Sequence, residues 1–180
     1  MSTRTRLKAP QLLVRRLSDR ALTGVLECGP LRLRCALGRG GVKARKREGD
    51  GATPRGRMAL RTVHYNPARA GRPATGLPVS AIRLNDGWCD ASGDRNYNRY
   101  VCHPYPASAE RLWRPDGVYD VIIVLDYNVR PRVRGLGSAI FMHVARPDYP
   151  PTEGCIALGL RDLQHMLKRL RPGSHLITAR

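Results

Sequence analysis

The sequence predicts a mainly β domain of mixed strands with a single short helix near its C-terminal end. Three observations carry this. Short apolar runs alternate with charge, as in LRLRCAL (31–37), or cluster in β-branched residues, as in VYDVIIVL (118–125). Gly and Pro are plentiful, 18 and 14 of 180 residues, which favours many turns over long helices. Helical periodicity is clearest once, where Leu163, Met166, Leu167 and Leu170 fall at i, i+3, i+4 and i+7.

The elements follow in order. Residues 11–37 read as short strands, with Gly29-Pro30 as a turn signal. In 31–37, Leu31, Leu33, Cys35 and Leu37 share one face and Arg32 and Arg34 the other, as in a half-buried strand. The stretch GRGGVKARKREGDGATPRGRM (38–58) is rich in Gly and charge and is expected to be a long hairpin or surface loop. Strands are expected at 58–64 and 79–84. Residues 85–117 read as a long irregular section containing both tryptophans, Trp88 and Trp113. Loops of that length in compact domains are usually functional, so it is expected to wall a cleft. The run 118–125 is expected to be a central strand buried on both faces. A strand at 138–144 then ends near His143, a helix spans 160–170 with Arg161, Lys168 and Arg169 outward, and Pro172-Gly173 stops it. A last strand closes the chain at 174–178. Residues 1–180 are expected to form one domain, large enough to bury a core without disulfides or metal.

Charge narrows the partners. There are 32 Lys and Arg against 14 Asp and Glu, a net charge of +18, and 28 of the 32 are arginine. Such a surface suits an anionic partner. Nucleic acid is not expected, because no helix-turn-helix pattern, RNP-like aromatic strand or zinc finger is present. The five cysteines, Cys28, Cys35, Cys89, Cys102 and Cys155, include no CxxC pair, which argues against zinc-ribbon and thioredoxin-like chemistry. The sequence leaves open a Cys28–Cys35 or Cys89–Cys102 pairing. The first twenty residues lack the apolar core of a secretory leader, and no run approaches a membrane span. As written, the chain is expected in the cytoplasm, or in the periplasm or cell envelope if exported or processed.

The stretch FMHVARPDYPPTEGCIAL (141–158) holds the candidate chemistry. A thiol becomes a strong nucleophile when a histidine takes its proton. Gly154 before Cys155 permits a tight turn that aims the N–H groups of Gly154 and Cys155 at a developing oxyanion. A lone cysteine is more often a small buried hydrophobe. Taken alone, the two residues do not separate a catalytic pair from two buried side chains. A zinc site on Cys155 and His143 needs two further ligands that no spacing supplies.

More of the chain joins in. GSAIFMHVARPDYPPTEGCIAL resembles the signature of the YkuD-type L,D-transpeptidase family: a His, then a loop, then Ser or Thr, any residue, Gly and Cys. REGDGATPRGRM (47–58) resembles that family's G-D-x-x-T-P-x-G strand and turn. DGWCD (86–90) with NYNRYV (96–101) resembles the tryptophan and Tyr-Asn segment of its short single-domain branch. These motifs cover most of residues 38–170.

The resemblance implies a β-sandwich of mixed strands with a short helix after the cysteine strand. It implies Cys155 as nucleophile on the third-residue carbonyl of a peptidoglycan tetrapeptide stem, expelling D-Ala, and His143 as its base. The N–H groups of Gly154 and Cys155 form the oxyanion hole, and Thr152 fills the Ser/Thr place. Arg146 is the candidate carboxylate clamp, because a guanidinium binds a carboxylate with two parallel bonds. Tyr97 and Asn98 are candidate stem contacts, with Thr152 beside them. The chain departs from the wider family at Glu153 (usually His), Val144 (usually Gly or Ser) and Ala157 (often Arg or Asn). No cofactor or metal is expected. The expected partner is a stem peptide or muropeptide. A second-stem amine as acceptor gives a cross-link in cell-wall biogenesis, and water gives L,D-carboxypeptidase activity on recycled muropeptides.

Overall fold

The computed structural model describes residues 8–179; residues 1–7, part of the stretch read for a leader, and residue 180 lie outside it. The fold is mainly β with one helix. The chain opens as an antiparallel meander, β1 (Gln11–Arg16), β2 (Thr23–Cys28) and β3 (Leu31–Ala36). The β2–β3 turn uses Gly29 at φ +58. In β3, Leu33 and Cys35 are buried while Arg32 and Arg34 face water, as the alternation predicts.

The Gly-rich segment is not the surface loop expected from its charge. Its short strands β4 (Val42–Lys43) and β5 (Thr53–Pro54) pair in parallel, Ala52 and Thr53 are fully buried, and Lys46 is 3% exposed. The charges are satisfied internally. Asp50 accepts from Lys46 Nζ at 2.8 Å and from the N–H groups of Arg47 and Ala52, both at 2.9 Å. A buried lysine is tolerated when it is paired in this way.

The long β6 (Gly56–Tyr65) and short β7 (Val79–Ala81) pair in parallel. Residues 85–117 are not wholly irregular: β8 (Asp86–Cys89), β9 (Tyr100–Cys102) and β10 (Ala109–Arg111) make a separate antiparallel sheet, ordered β10-β8-β9. Strands of three or four residues offer too few positions to show a period, which is why the sequence conceals them. Then come β11 (Val121–Leu125), β12 (Phe141–Val144), β13 (Ile156–Leu158), the helix α1 (Leu160–Leu167) and β14 (His175–Thr178). The strand expected from residue 138 starts only at Phe141, because Ala139 turns the chain at φ +51. The helix ends at Leu167. The chain continues in a tight turn, Leu170 N–H to Leu167 carbonyl at 3.0 Å, and Leu170 stays buried.

The principal sheet runs β11-β12-β13-β3-β2-β1-β14-β6-β7, and β11 also pairs with β6. That pairing closes eight strands into a ring and removes their open edges. The β1–β14, β12–β13 and β6–β7 pairs are parallel. Inside lies the main core, to which α1 adds Leu163, Met166 and Leu167.

β11 explains how the site is placed. All five residues are buried, yet they divide by face. Val121, Ile123 and Leu125 join the main core; Ile122 and Val124 join a second cluster with Phe141, Tyr119 and Cys155. Each such aliphatic side chain contributes roughly 1.5–3 kcal/mol by burial. The second cluster is the floor of the candidate site.

Candidate active site

Period-two geometry brings the histidine and cysteine to one face. β12 and β13 pair in register Met142↔Ile156 and His143↔Ala157. Met142 and Ile156 point into the main core, so His143, Ala157 and Cys155 point to the opposite side. Phe141 and His143 sit on that same face, two residues apart. His143 and Cys155 both line a cavity of about 380 Å³. They are 7% and 8% exposed, so the pair lies at the base of the cavity.

The turn before the cysteine is locked by Thr152. Its Oγ1 donates to the Cys155 carbonyl at 2.7 Å and accepts from the Gly154 N–H at 3.2 Å. Gly154 adopts φ +127, and a Cβ there would sit 2.7 Å from the Ala52 carbonyl oxygen. The GDGATP segment thus packs directly against the turn that carries Cys155. Thr152 and Gly38 form an isolated parallel bridge, and the Thr152 backbone exchanges bonds with Leu37 and Arg39 at 2.9 and 2.8 Å. Thr152 lines the cavity, but its hydroxyl is spent on the turn, as is the Gly154 N–H.

Protonation follows from burial and contacts. Cys155 Sγ donates to the Ala139 carbonyl at 3.2 Å and accepts from the Phe141 N–H at 3.3 Å. Burial, reinforced by the Glu110 charge, pushes the thiol up to about 12. His143 Nδ1 lies 3.0 Å from the Val144 carbonyl, which only accepts, so Nδ1 carries the proton and Nε2 presents its lone pair. Burial lowers this histidine to about 4; the Val144 bond opposes that, and the Arg114 and Arg146 charges add to it. The resting pair is therefore thiol and neutral imidazole, with no hydrogen bond between them.

Residues 85–117 do line the cavity, through Asp90, Glu110 and Arg114. Arg146 also lines it. One of its N–H groups reaches Asp116 Oδ2 at 2.8 Å, and its side chain is 56% exposed. Arg114 first, and Arg146 with it, hold the Asp116 carboxyl well below the usual carboxylate range.

Tyr97 and Asn98 lie behind the cavity, buried at 1% and 3% exposure. The Tyr97 hydroxyl donates to Glu48 and accepts from the Gly137 N–H at 2.9 Å. Asn98 Oδ1 accepts from Trp88 Nε1 at 2.9 Å and from the Ala139 N–H at 3.1 Å. Its Nδ2 donates to the carbonyls of Tyr127 and Asn128. The expected stem contacts are therefore fully engaged with protein. Their place in the structure is to hold the 128–139 loop that carries Ala139 under the thiol.

Sequence reasoning missed Glu48, Asp90, Glu110 and Tyr119. The Tyr119 hydroxyl donates to Glu110 Oε1 at 2.6 Å, and its ring meets those of Phe141 and His143 edge-on at centroid distances of 6.0 and 5.5 Å. No motif flags Glu110; only the β8–β10 pairing puts it here. The departures from the wider family also find places. Glu153 sits exposed on the cavity lining and pairs with Arg39 at 2.7 Å, Val144 packs against the main core, and Ala157 lines the cavity beside His143. All five cysteines are free. Among the described residues no cluster of His, Cys, Asp and Glu is placed to hold a metal ion, and no helix is long and apolar enough to cross a membrane.

The family model for the L,D-transpeptidase catalytic domain (YkuD) matches residues 12–177. No curated protein matches the chain. Among solved structures it is similar to L,D-transpeptidase 3 from Mycobacterium tuberculosis, solved with a faropenem-derived adduct, at 13% identity and a TM-score of 0.45. That match covers 96% of this chain and 60% of the other. It is also similar to an L,D-transpeptidase from Mycobacterium smegmatis, at 12% identity and a TM-score of 0.41, covering 95% of this chain and 59% of the other. The chain thus spans about three fifths of the length of either. The family match runs from the first strand of the meander into the last strand of the ring, and the chain belongs to the L,D-transpeptidase catalytic domain (YkuD) family.

Proposed function

We propose that this protein is a cysteine acyltransferase acting on peptidoglycan tetrapeptide stems, with L,D-transpeptidation in cell-wall remodelling as its reaction. The observation that carries the reading is the shared face of β12 and β13, which sets a thiol and an Nε2 lone pair in one cavity.

The steps follow from the resting geometry. Substrate draws the S–H away from the Ala139 carbonyl and toward His143 Nε2; such bonds commonly tighten only in the substrate complex. Sulfur attacks the carbonyl carbon of the third stem residue as its proton passes to Nε2. The Cys155 N–H, together with the Gly154 N–H released from Thr152, receives the oxyanion. The C–N bond breaks, the imidazolium protonates the departing D-Ala amine, and a thioester remains. An amine of a second stem then attacks the thioester, loses a proton to Nε2, and leaves the thiol restored. Arg146 holds the terminal carboxylate of the donor.

The test is the mass of products from a defined disaccharide tetrapeptide. A cross-linked dimer with loss of D-Ala supports transpeptidation. Tripeptide and D-Ala without dimer make water the acceptor, and the protein an L,D-carboxypeptidase. The thioester itself is read by exposure to a carbapenem: a covalent adduct on wild type that vanishes in Cys155→Ala is expected, and an unreactive wild type sinks the reading.

A further inference from the structure

The chain carries 32 basic residues and 14 acidic ones, yet Glu48, Asp90 and Glu110 all line the cavity that holds Cys155. Glu110 is fixed by the sheet. The register Glu110↔Trp88 places it on the Trp88 face of β8, the face that Asp90 continues one residue past the strand. Trp88 packs edge-on against Phe141 at 5.2 Å, so this wall is braced on the floor beneath the thiol. Tyr119 pins Glu110 Oε1, while Oε2 has no partner among the described residues. Asp90 Oδ1 is buried and also without a partner. Glu48 gives Oε2 to the hydroxyls of Tyr97 and Ser138. Arg114 is 3.8 Å from Glu110 but makes its close pair with Asp116, at 2.6 Å. Burial pushes the Glu110 carboxyl up, against the Tyr119 hydrogen bond and the Arg114 charge, and the Asp90 charge adds to the rise. The Glu110 side chain is 27% exposed, so its free oxygen is reachable from the cavity, while the buried Asp90 oxygen lacks the partner that a bound cation would supply.

We propose that Glu110, with Asp90 beside it, forms a subsite for a primary ammonium group of the ligand, making Glu110 a specificity-determining residue of this cavity. The proposal rests on the acyl-transfer reading and deepens it. With Arg146 on the cavity's basic side, the site suits a ligand that carries both a carboxylate and an ammonium. The ammonium has two sources: the side chain of the donor's third residue, or the acceptor amine before it loses its proton.

The test reads binding without chemistry. Cys155→Ala protein is titrated by NMR with n-pentylammonium and with neutral 1-pentanol. Saturable binding of the ammonium alone is expected, with Kd raised at least tenfold when Glu110→Gln and Asp90→Asn are combined. Equal binding of pentanol, or an unchanged Kd in the double variant, overturns the subsite; the pentanol comparison needs no second variant to fold. A tetrapeptide with lysine at its third position and its Nε-acetyl form then separate the sources. A tenfold loss on acetylation that disappears in the double variant assigns the donor side chain. No effect of acetylation, with n-pentylammonium still binding to peptide-loaded protein, assigns the acceptor amine. Because amine binding needs no thiol, failure here is distinct from failure of the carbapenem adduct on wild type.

Discussion

Asn98 Oδ1 lies 3.1 Å from the backbone nitrogen of Ala139, and the carbonyl of that same Ala139 receives the Cys155 thiol at 3.2 Å. One amide side chain thus sets the position of the group against which the Cys155 thiol rests. The same Asn98 holds Trp88 and the carbonyls of Tyr127 and Asn128, where the loop that leads to Ala139 begins. Replacing it by alanine strips several buried groups of partners at once. We expect Asn98→Ala to cost about 2–4 kcal/mol of stability, from the desolvation penalty of groups left unpaired. Acylation by a β-lactam should slow at least tenfold, because Ala139 loses its anchor. Urea unfolding and adduct formation by mass measure both; an unchanged acylation rate argues against this role.

Gly154 is the second constraint. A methyl group there meets the Ala52 carbonyl at 2.7 Å on a backbone held at φ +127. Gly154→Ala is expected to cost about 1–3 kcal/mol in backbone strain. The turn must shift to relieve the clash, so the adduct should form more than tenfold more slowly. A variant that acylates at the wild-type rate contradicts the packing of GDGATP on this turn.

The activity profile should be flat. His143 is neutral above about 4 and Cys155 stays a thiol up to about 12. Acylation therefore neither falls nor rises steeply between about pH 6 and pH 9, unlike the bell of a pair with ordinary values. Rates of carbapenem adduct formation across that range provide the measurement. A steep acid limb near the ordinary histidine value of 6.5 would falsify the neutral resting pair.

Stability has its own pH signature. The folded-state value of His143 is lowered, so the unfolded chain binds the proton and the native chain does not. Stability is then complete above 6.5 and falls as pH drops toward about 4, by about 3 kcal/mol at about 1.4 kcal/mol per unit. Half-buried His64, also lowered by desolvation, contributes with the same sign. The depressed carboxyls of Asp50 and Asp116 lose their contribution only further into acid. Urea midpoints at several pH values should show the slope, and His143→Gln should reduce it; an equal slope in both proteins excludes His143 as its source.

Arg146→Ala is expected to raise KM for the tetrapeptide about tenfold or more, the usual worth of a charge-assisted contact. kcat should change less, since the guanidinium holds the donor and not the reacting atoms. Arg146→Lys restores charge but not the fork and should recover only part of the loss. A loss confined to kcat would move Arg146 out of the carboxylate-binding role.

Much of the fold was legible because its signals are local. The alternation of LRLRCAL, the β-branched VIIVL and the helical spacing from Leu163 to Leu170 each reflect one element meeting one surface. The Gly-rich segment looks in sequence like a long hairpin or surface loop because its charges look solvated until Asp50 is seen to satisfy Lys46 and two backbone N–H groups. The strands of 85–117 are hidden by their length, and the NYNRYV motif that singles out Tyr97 and Asn98 does not reveal that both side chains are buried.

By itself the sequence determined the turn that carries Cys155. Thr152, Gly154 and Cys155 are within four residues, so their turn is a local matter of backbone freedom and one hydroxyl. Only the tertiary structure decided what that segment meets. The β12–β13 register turns Cys155 and His143 to one face, and burial sets their protonation. The β8–β10 pairing brings Glu110 and Asp90, from a separate sheet, to the cavity that Cys155 lines. Those relationships join residues 12 to 65 positions apart, and they exist only once strand pairing has chosen the faces and excluded the water.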